Sequence, residues 1–275
     1  MKKLQDKVAL ITGGGQGLGK SIALAMAREG ANIVICDINE DTMVDAVQEI
    51  EAEGVKALGV RCDVSSSVSV ESMFTQAKEH FGTVHILVNN AAINPTTPAE
   101  EERRNRLYAA QKNGRGGKTL GFVSSVTDQE WNRYWGVNVS GVFYCTRAAL
   151  KLMEPQGYGK IINIASISGL SAESAFSPAY SVSKAAVISF TKTSAVDVAG
   201  GGIYVNCIAC GGVMTPPLRK YLAESDEEKR ANLFSKIPLG RVGEPEEYAS
   251  LAVYLASDGH YLVGQIISPN GGLVV

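Results

Sequence analysis

The stretch Val8-Ala-Leu-Ile-Thr-Gly-Gly-Gly-Gln-Gly-Leu-Gly19 runs from a short apolar segment through a cluster of glycines into Leu18–Glu29, which has helical periodicity. An apolar run of this length, broken by glycine and followed at once by an amphipathic stretch, is a strand–turn–helix unit. Glycine lets the chain turn tightly and lets the backbone approach a ligand closely. The helix that follows offers unpaired N–H groups and the positive end of its dipole, which together favour an anion such as a pyrophosphate. Gly13, Gln16, Gly17, Leu18 and Gly19 are the expected contacts.

Further strands are expected at Asn32–Cys36, Lys56–Arg61, His85–Asn89, Lys160–Ala165, Ile203–Ala209 and Gly264–Ser268. Several are continuous β-branched runs, as in strands buried on both faces. Helices are expected at Asp41–Glu53, Val68–Phe81, Asp128–Met153, Pro178–Val198 and Pro245–Ala256. Regular alternation of this kind reads as an α/β fold: one Rossmann-like, doubly wound domain over 1–275, with a seven-stranded, mostly parallel sheet and helices on both faces. Two segments break the rhythm, an insertion at about 94–127 and a loop at about 212–240 suited to substrate. The basic cluster Arg103, Arg104 and Arg106 in the first reads best as a solvated helix face alternating with glutamates. The insertion itself reads equally well as a lid over a pocket or as a surface or subunit-contact element.

Across 275 residues, 45% are hydrophobic and 20% charged, which excludes a disordered or fibrous chain. The 29 glycines have no three-residue period, so collagen is excluded too. A net charge of -2 gives no electrostatic reason to expect nucleic acid or an anionic membrane as partner. The first residues lack a signal-peptide core, and no apolar run approaches the ~20 residues of a membrane span. Five scattered cysteines (Cys36, Cys62, Cys145, Cys207, Cys210) fit reduced, buried thiols and a cytoplasmic location. Cys207 and Cys210 have the spacing of a metal or redox pair, but no second Cys/His pair completes a metal site, and strand-end packing is the simpler reading.

Asp37 falls 18 residues beyond Gly19, at the end of the second strand. A carboxylate there can accept both ribose hydroxyls of a dinucleotide and would repel a 2′-phosphate, which favours NAD over NADP; the competing reading is a cap for the next helix. Tyr180 and Lys184, in Pro178-Ala-Tyr-Ser-Val-Ser-Lys184, are spaced i, i+4 and share a helix face. An ammonium near a phenol favours the phenolate, so such a tyrosine can act as base toward an alcohol or acid toward a ketone. Ser177 and Pro178 read as cap and first-turn proline. Upstream, Ile161-Ile-Asn-Ile-Ala-Ser-Ile-Ser168 is a strand ending in serines, whose hydroxyls can donate to a developing alkoxide.

The order Thr12-Gly13-x-x-x-Gly17-x-Gly19, the strand-end serines and the Tyr180-x-x-x-Lys184 pair resemble the short-chain dehydrogenase/reductase family, over nearly the whole chain. The resemblance implies Ser166, with Ser168 as rival, together with Tyr180 and Lys184 as the catalytic set. It adds Asn138, in Gly136-Val-Asn-Val-Ser-Gly141, as holder of a water in a relay to Lys184. It further implies cofactor contacts at Asp63, Val64, Asn90, Val213 and Thr215, besides Tyr180 and Lys184 themselves. Ala92 stands where the family usually has glycine, and Cys210 replaces its proline, which loosens a turn that proline would fix.

The expected activity is NAD(H)-linked interconversion of a secondary alcohol and a ketone without a metal. Tyr108, Phe122, Trp131, Phe176, Met214, Leu218 and Tyr221 suggest an apolar cyclic, steroid or aryl substrate. Reduction of a 3-oxoacyl thioester is the alternative within the class. A non-catalytic dinucleotide-binding regulator is the alternative outside it, and such a protein need not keep all four reactive positions. The resemblance also implies a homotetramer.

Overall fold

Apolar β-branched runs pay least for burial on both faces, and each of the predicted runs forms a strand. The computed structural model describes residues 2–275, the side chains of Glu228, Lys229 and Asn232 excepted. Its strands are β1 (Val8–Thr12), β2 (Asn32–Asp37), β3 (Ala57–Arg61), β4 (Ile86–Asn89), β5 (Gly159–Ser166), β6 (Ile203–Cys210) and β7 (Ile266–Ile267). They form one sheet in the order β3-β2-β1-β4-β5-β6-β7. Every pairing among the described strands is parallel, so "mostly parallel" understates the regularity. The order reverses between β1 and β4, and the crevice at that switch point is where such sheets bind ligands.

Strand alternation feeds two cores. Ile33 and Ile35 face one layer with α1 (Gly17–Arg28), α2 (Glu40–Glu51) and, late in the chain, α10 (Pro245–Ala256). Val34 and Cys36 face the other, with α3 (Ser67–Phe81) and side chains such as Cys145, Ala149 and Ala195 from helices described below.

Three expectations change. The insertion holds a helix, α4 (Pro98–Asn113), opened by a capping box between Thr97 and Glu100. Its charged face is not simply solvated: Glu100 is 0% and Arg103 2% exposed, and both are hydrogen-bonded to neighbouring segments. The predicted helix Asp128–Met153 is broken into α5 (Asp128–Tyr134), a π-helical turn over Trp135–Ser140 and α6 (Gly141–Gln156). Asn138 sits in that wide turn and binds the Ile93 backbone, which accounts for the departure from α geometry. The catalytic-motif helix is α7 (Pro178–Val198), and the 212–240 loop carries α8 (Pro216–Glu224) and α9 (Glu227–Ser235). No described helix is long and apolar enough to cross a membrane.

Candidate active site

The glycine loop is held by its neighbours. The Gly14 N–H donates to the Cys36 carbonyl at 3.0 Å, and Gly15 N–H to Asp37 Oδ2 at 3.2 Å. Asn90 Nδ2 donates to the carbonyls of Thr12 and Gly13 at 2.9 and 3.0 Å. Thr12 Oγ1 accepts the N–H groups of Asn90 and Ala91. Thus β1 and β4 are laced together at the crevice, and Asn90 spends its amide on the loop rather than on open space. Gly19 is indispensable to this packing: a Cβ there would lie 2.1 Å from the Gly13 carbonyl oxygen and 2.5 Å from Asn90 Nδ2. Gln16 caps α1 by position only, without a side-chain bond, so no side chain caps the first turn at Gly17, Leu18 and Gly19.

Asp37 Oδ1 accepts the N–H groups of Ile38 and Asn39. The cap of α2 is Asn39, whose side chain accepts from Asp41 and Thr42, so the capping alternative for Asp37 belongs two residues on. Asp63 Oδ1 takes the N–H and hydroxyl of Ser65, fixing the turn after β3 with Val64 buried beneath it. Val213 bridges to Gly243, and Thr215 is the N-cap residue of α8, close over Gly17.

Ser166 ends β5, and Tyr180 lies in the first turn of α7, with Lys184 one turn further on; all three are buried. Burial pushes the Tyr180 phenol up to about 12, and the Ser166 hydroxyl acts against that shift. Ser166 Oγ donates to Ser168 Oγ at 3.1 Å, and Ser168 Oγ lies 2.7 Å from Ser174 Oγ, so the two serines are hydrogen-bonded to each other. The Lys184 ammonium donates to the Ile164 carbonyl at 3.0 Å and stands 5.9 Å from the Tyr180 ring centroid. Burial pulls it down to about 8.

Asn138, 1% exposed, accepts the Ile93 N–H at 2.9 Å and donates to the Ile93 carbonyl and Ser183 Oγ. Both polar atoms of its side-chain amide are therefore engaged by protein groups. Ser183 passes the contact on, donating to the Tyr180 carbonyl at 2.7 Å. Ser177 opens α7 without a side-chain cap bond, because its hydroxyl is taken by Glu100. Cys210 extends β6 opposite Ser166, and burial pushes both it and Cys207 up to about 12, as packing thiols rather than nucleophiles.

Ser183 and Gly169 were not singled out from sequence, and Thr12 only as the first position of the glycine motif. Gly169 lets the turn after β5 lie on α7, since a Cβ would fall 2.7 Å from the Ala185 nitrogen. Their sequence signals are a polar strand end, a serine three residues past Tyr180 and a glycine after the serines. Of the residues expected around a substrate, Phe122 and Phe176 instead pack with Leu107 in a small core beneath α4.

A family model described as enoyl-(acyl carrier protein) reductase matches residues 13–274. The chain is 33% identical over 270 residues to (2S)-[(R)-hydroxy(phenyl)methyl]succinyl-CoA dehydrogenase subunit BbsD of Thauera aromatica, covering 98% of this chain and 97% of that one. It is also 33% identical over 274 residues to the 3-oxoacyl-[acyl-carrier-protein] reductase FabG of Thermotoga maritima, covering 99% and 100%. The crystal structure of levodione reductase superposes with a TM-score of 0.84 at 28% identity, over 98% of both chains. With the parallel sheet, the glycine loop at its switch point and matches that span nearly the full length, the chain belongs to the short-chain dehydrogenase/reductase family of oxidoreductases.

Proposed function

We propose that the chain interconverts a secondary alcohol and a ketone with NAD(H), and that Tyr180 is its acid/base. The observation that carries this reading is the convergence of Ser166, Tyr180 and Lys184, all buried, at the carboxyl ends of β5 and β6. Three features fit a nicotinamide dinucleotide: the side-chain-uncapped first turn of α1, a loop glycine with no room for a Cβ, and a carboxylate, Asp37, tied to that loop. Gly13, Gln16, Gly17, Leu18 and Gly19 would hold its phosphates. Asp37 would hold the adenosine ribose, Asp63 and Val64 the adenine, and Val213 and Thr215 the nicotinamide end. Asn90 would serve by shaping the loop. When bound, the cofactor supplies the acceptor or donor of hydride.

In the oxidation direction, the phenolate of Tyr180 takes the hydroxyl proton as the carbinol C–H electron pair leaves and the C=O bond forms. Ser166 donates a hydrogen bond to the oxygen that carries the developing charge. A phenol near 12 is a weak candidate at neutral pH unless positive charge comes close. Lys184, still largely protonated below about 8, is the charge this chain provides. Asn138 orients the site through Ile93 and Ser183. The substrate is an apolar cyclic, steroid or aryl carbinol, the setting is cytoplasmic, and the assembly is a homotetramer.

Reduction of a 3-oxoacyl thioester is the second reading, and the FabG relative favours it. The BbsD relative is named for an aryl carbinol carrying a CoA thioester, which joins features of both substrate classes. Turnover should be measured with cyclohexanol and 1-phenylethanol on NAD, and with acetoacetyl-CoA on NADH and NADPH. Faster alcohol oxidation on NAD supports the first reading, and dominant acetoacetyl-CoA reduction on NADPH supports the second. Tyr180→Phe is expected to lower kcat at least a thousandfold while NADH still binds. Wild-type turnover in that variant would sink both.

A further inference from the structure

Two charged side chains of α4 are buried where a covering helix would ordinarily bury apolar ones. Glu100 Oε1 accepts the Tyr134 hydroxyl at 2.6 Å and the Ser177 hydroxyl at 2.7 Å. Its Oε2 accepts the Thr97 hydroxyl at 2.8 Å and the Thr97 N–H at 3.0 Å. Burial alone would raise its pKa, but these hydrogen bonds outweigh that and hold the carboxyl below its usual value. Arg103, one turn along, donates from Nε to the Phe176 carbonyl at 2.8 Å and pairs its terminal nitrogen with Glu130. Each residue therefore grips the same two places: α5, through Tyr134 or Glu130, and the two residues before α7, Ser177 and Phe176.

Between those places lies Tyr180. The ring of Tyr134 meets the ring of Tyr180 edge-on, with centroids 5.9 Å apart and planes at 66°. Tyr134, Ala179 and Tyr180 form one buried cluster, flanked by Ile93 and Val126. Burying a carboxylate and a guanidinium brings little net stability, since desolvation cancels most of the attraction. Such a network does fix geometry, and displacing a catalytic group by about 1 Å costs up to ~100-fold in rate.

We propose that Glu100 and Arg103 are positioning residues, which staple α5 to the start of α7 and so fix the Tyr180 ring through Tyr134. The insertion is then part of the catalytic scaffold rather than a lid or a surface appendage. This inference rests on Tyr180 being the acid/base of the proposed reaction.

The test uses the full chain and whichever substrate of the panel above turns over fastest. Glu100→Gln is nearly isosteric, yet its NH2 group replaces one of the two carboxylate oxygens and cannot accept the two hydrogen bonds that oxygen takes. It is expected to lower kcat about tenfold, with the NADH dissociation constant and substrate KM within about twofold. Tyr134→Phe keeps the ring but loses its bond to Glu100 and should lower kcat about as much as Glu100→Gln, while Tyr134→Ala, which also removes the ring from Tyr180, should lose more. Arg103→Lys reports independently if Glu100→Gln is too unstable to assay, and it too should lower kcat with KM preserved. A folded Glu100→Gln or Arg103→Lys with wild-type kcat, or Tyr134→Ala as active as Tyr134→Phe, overturns the proposal. A wild-type chain inert toward the whole panel, or a fully active Tyr180→Phe, overturns the underlying reading and this one with it.

Discussion

Lys184 is the residue whose chemistry and stability pull in opposite directions. Its ammonium is buried with a backbone carbonyl and no carboxylate as partner, and its pKa falls from 10.5 to about 8. Below about 8 the folded chain carries the full desolvation cost of the charge. Between about 8 and 10.5 the folded chain has released the proton and the unfolded chain has not, so stability rises with pH; above 10.5 the gain is complete. The stability of wild type relative to Lys184→Met should therefore increase across that window, by at most about 3 kcal/mol. Urea unfolding at several pH values measures it, and a flat difference would remove the buried-ammonium account. Residues of this sort were legible in the sequence because their spacing encodes their meeting: i, i+4 on a helix for Tyr180 and Lys184, a strand end for Ser166. Glu100 was not singled out: Thr97-Pro-Ala-Glu100 has the spacing of a capping box, but that pattern does not tell a buried carboxylate from a solvated one.

At the scale of elements, the strands could be read directly, since a sheet buried on both faces demands continuous apolar runs. The helix α4 could not, because it turns a charged pair rather than an apolar stripe inward and fully buries only one apolar side chain, Leu107. The π-helical turn was equally hidden. Gly136, Val137, Asn138, Val139 and Ser140 are poor helix formers, but weak propensity does not specify a wider turn, and only the distant Ile93 backbone shows why the helix widens at Asn138. That contact makes the turn costly to disturb. Asn138→Ala would strip the Ile93 N–H and carbonyl of their Asn138 partners, at roughly 1–2 kcal/mol for two part-buried polar groups. The expected outcome is a fall in unfolding free energy of that size. An unchanged denaturation midpoint would mean that the Ile93 backbone finds other partners and that the π turn has another cause.

For the molecule as a whole, the outward stripe of α7, one of two long helices on one side of the sheet, is poor in charge. On α7, Val182, Ala185, Ser189, Thr193 and Val196 line up opposite the side that holds Tyr180 and Lys184, and Val196 is 84% exposed. On α6, Phe143 is exposed at 42%, with the Arg147 guanidinium 5.0 Å over its ring and Phe190 of α7 edge-on at 6.1 Å. A solvated helix would pay nothing to carry charges at these α7 positions, and a stripe without them fits the homotetramer proposed above. Burial there would also support the active site from behind, because the same turns of α7 present Tyr180 and Lys184 inward. Light scattering should give four times the chain mass for the wild type. Phe143→Asp combined with Val196→Asp should reduce that mass to a dimer or monomer, and activity should fall as subunits separate, since α7 loses its outer support. A wild type that is monomeric at micromolar concentration would refute the tetramer, and a tetrameric double variant would move the contact to another face.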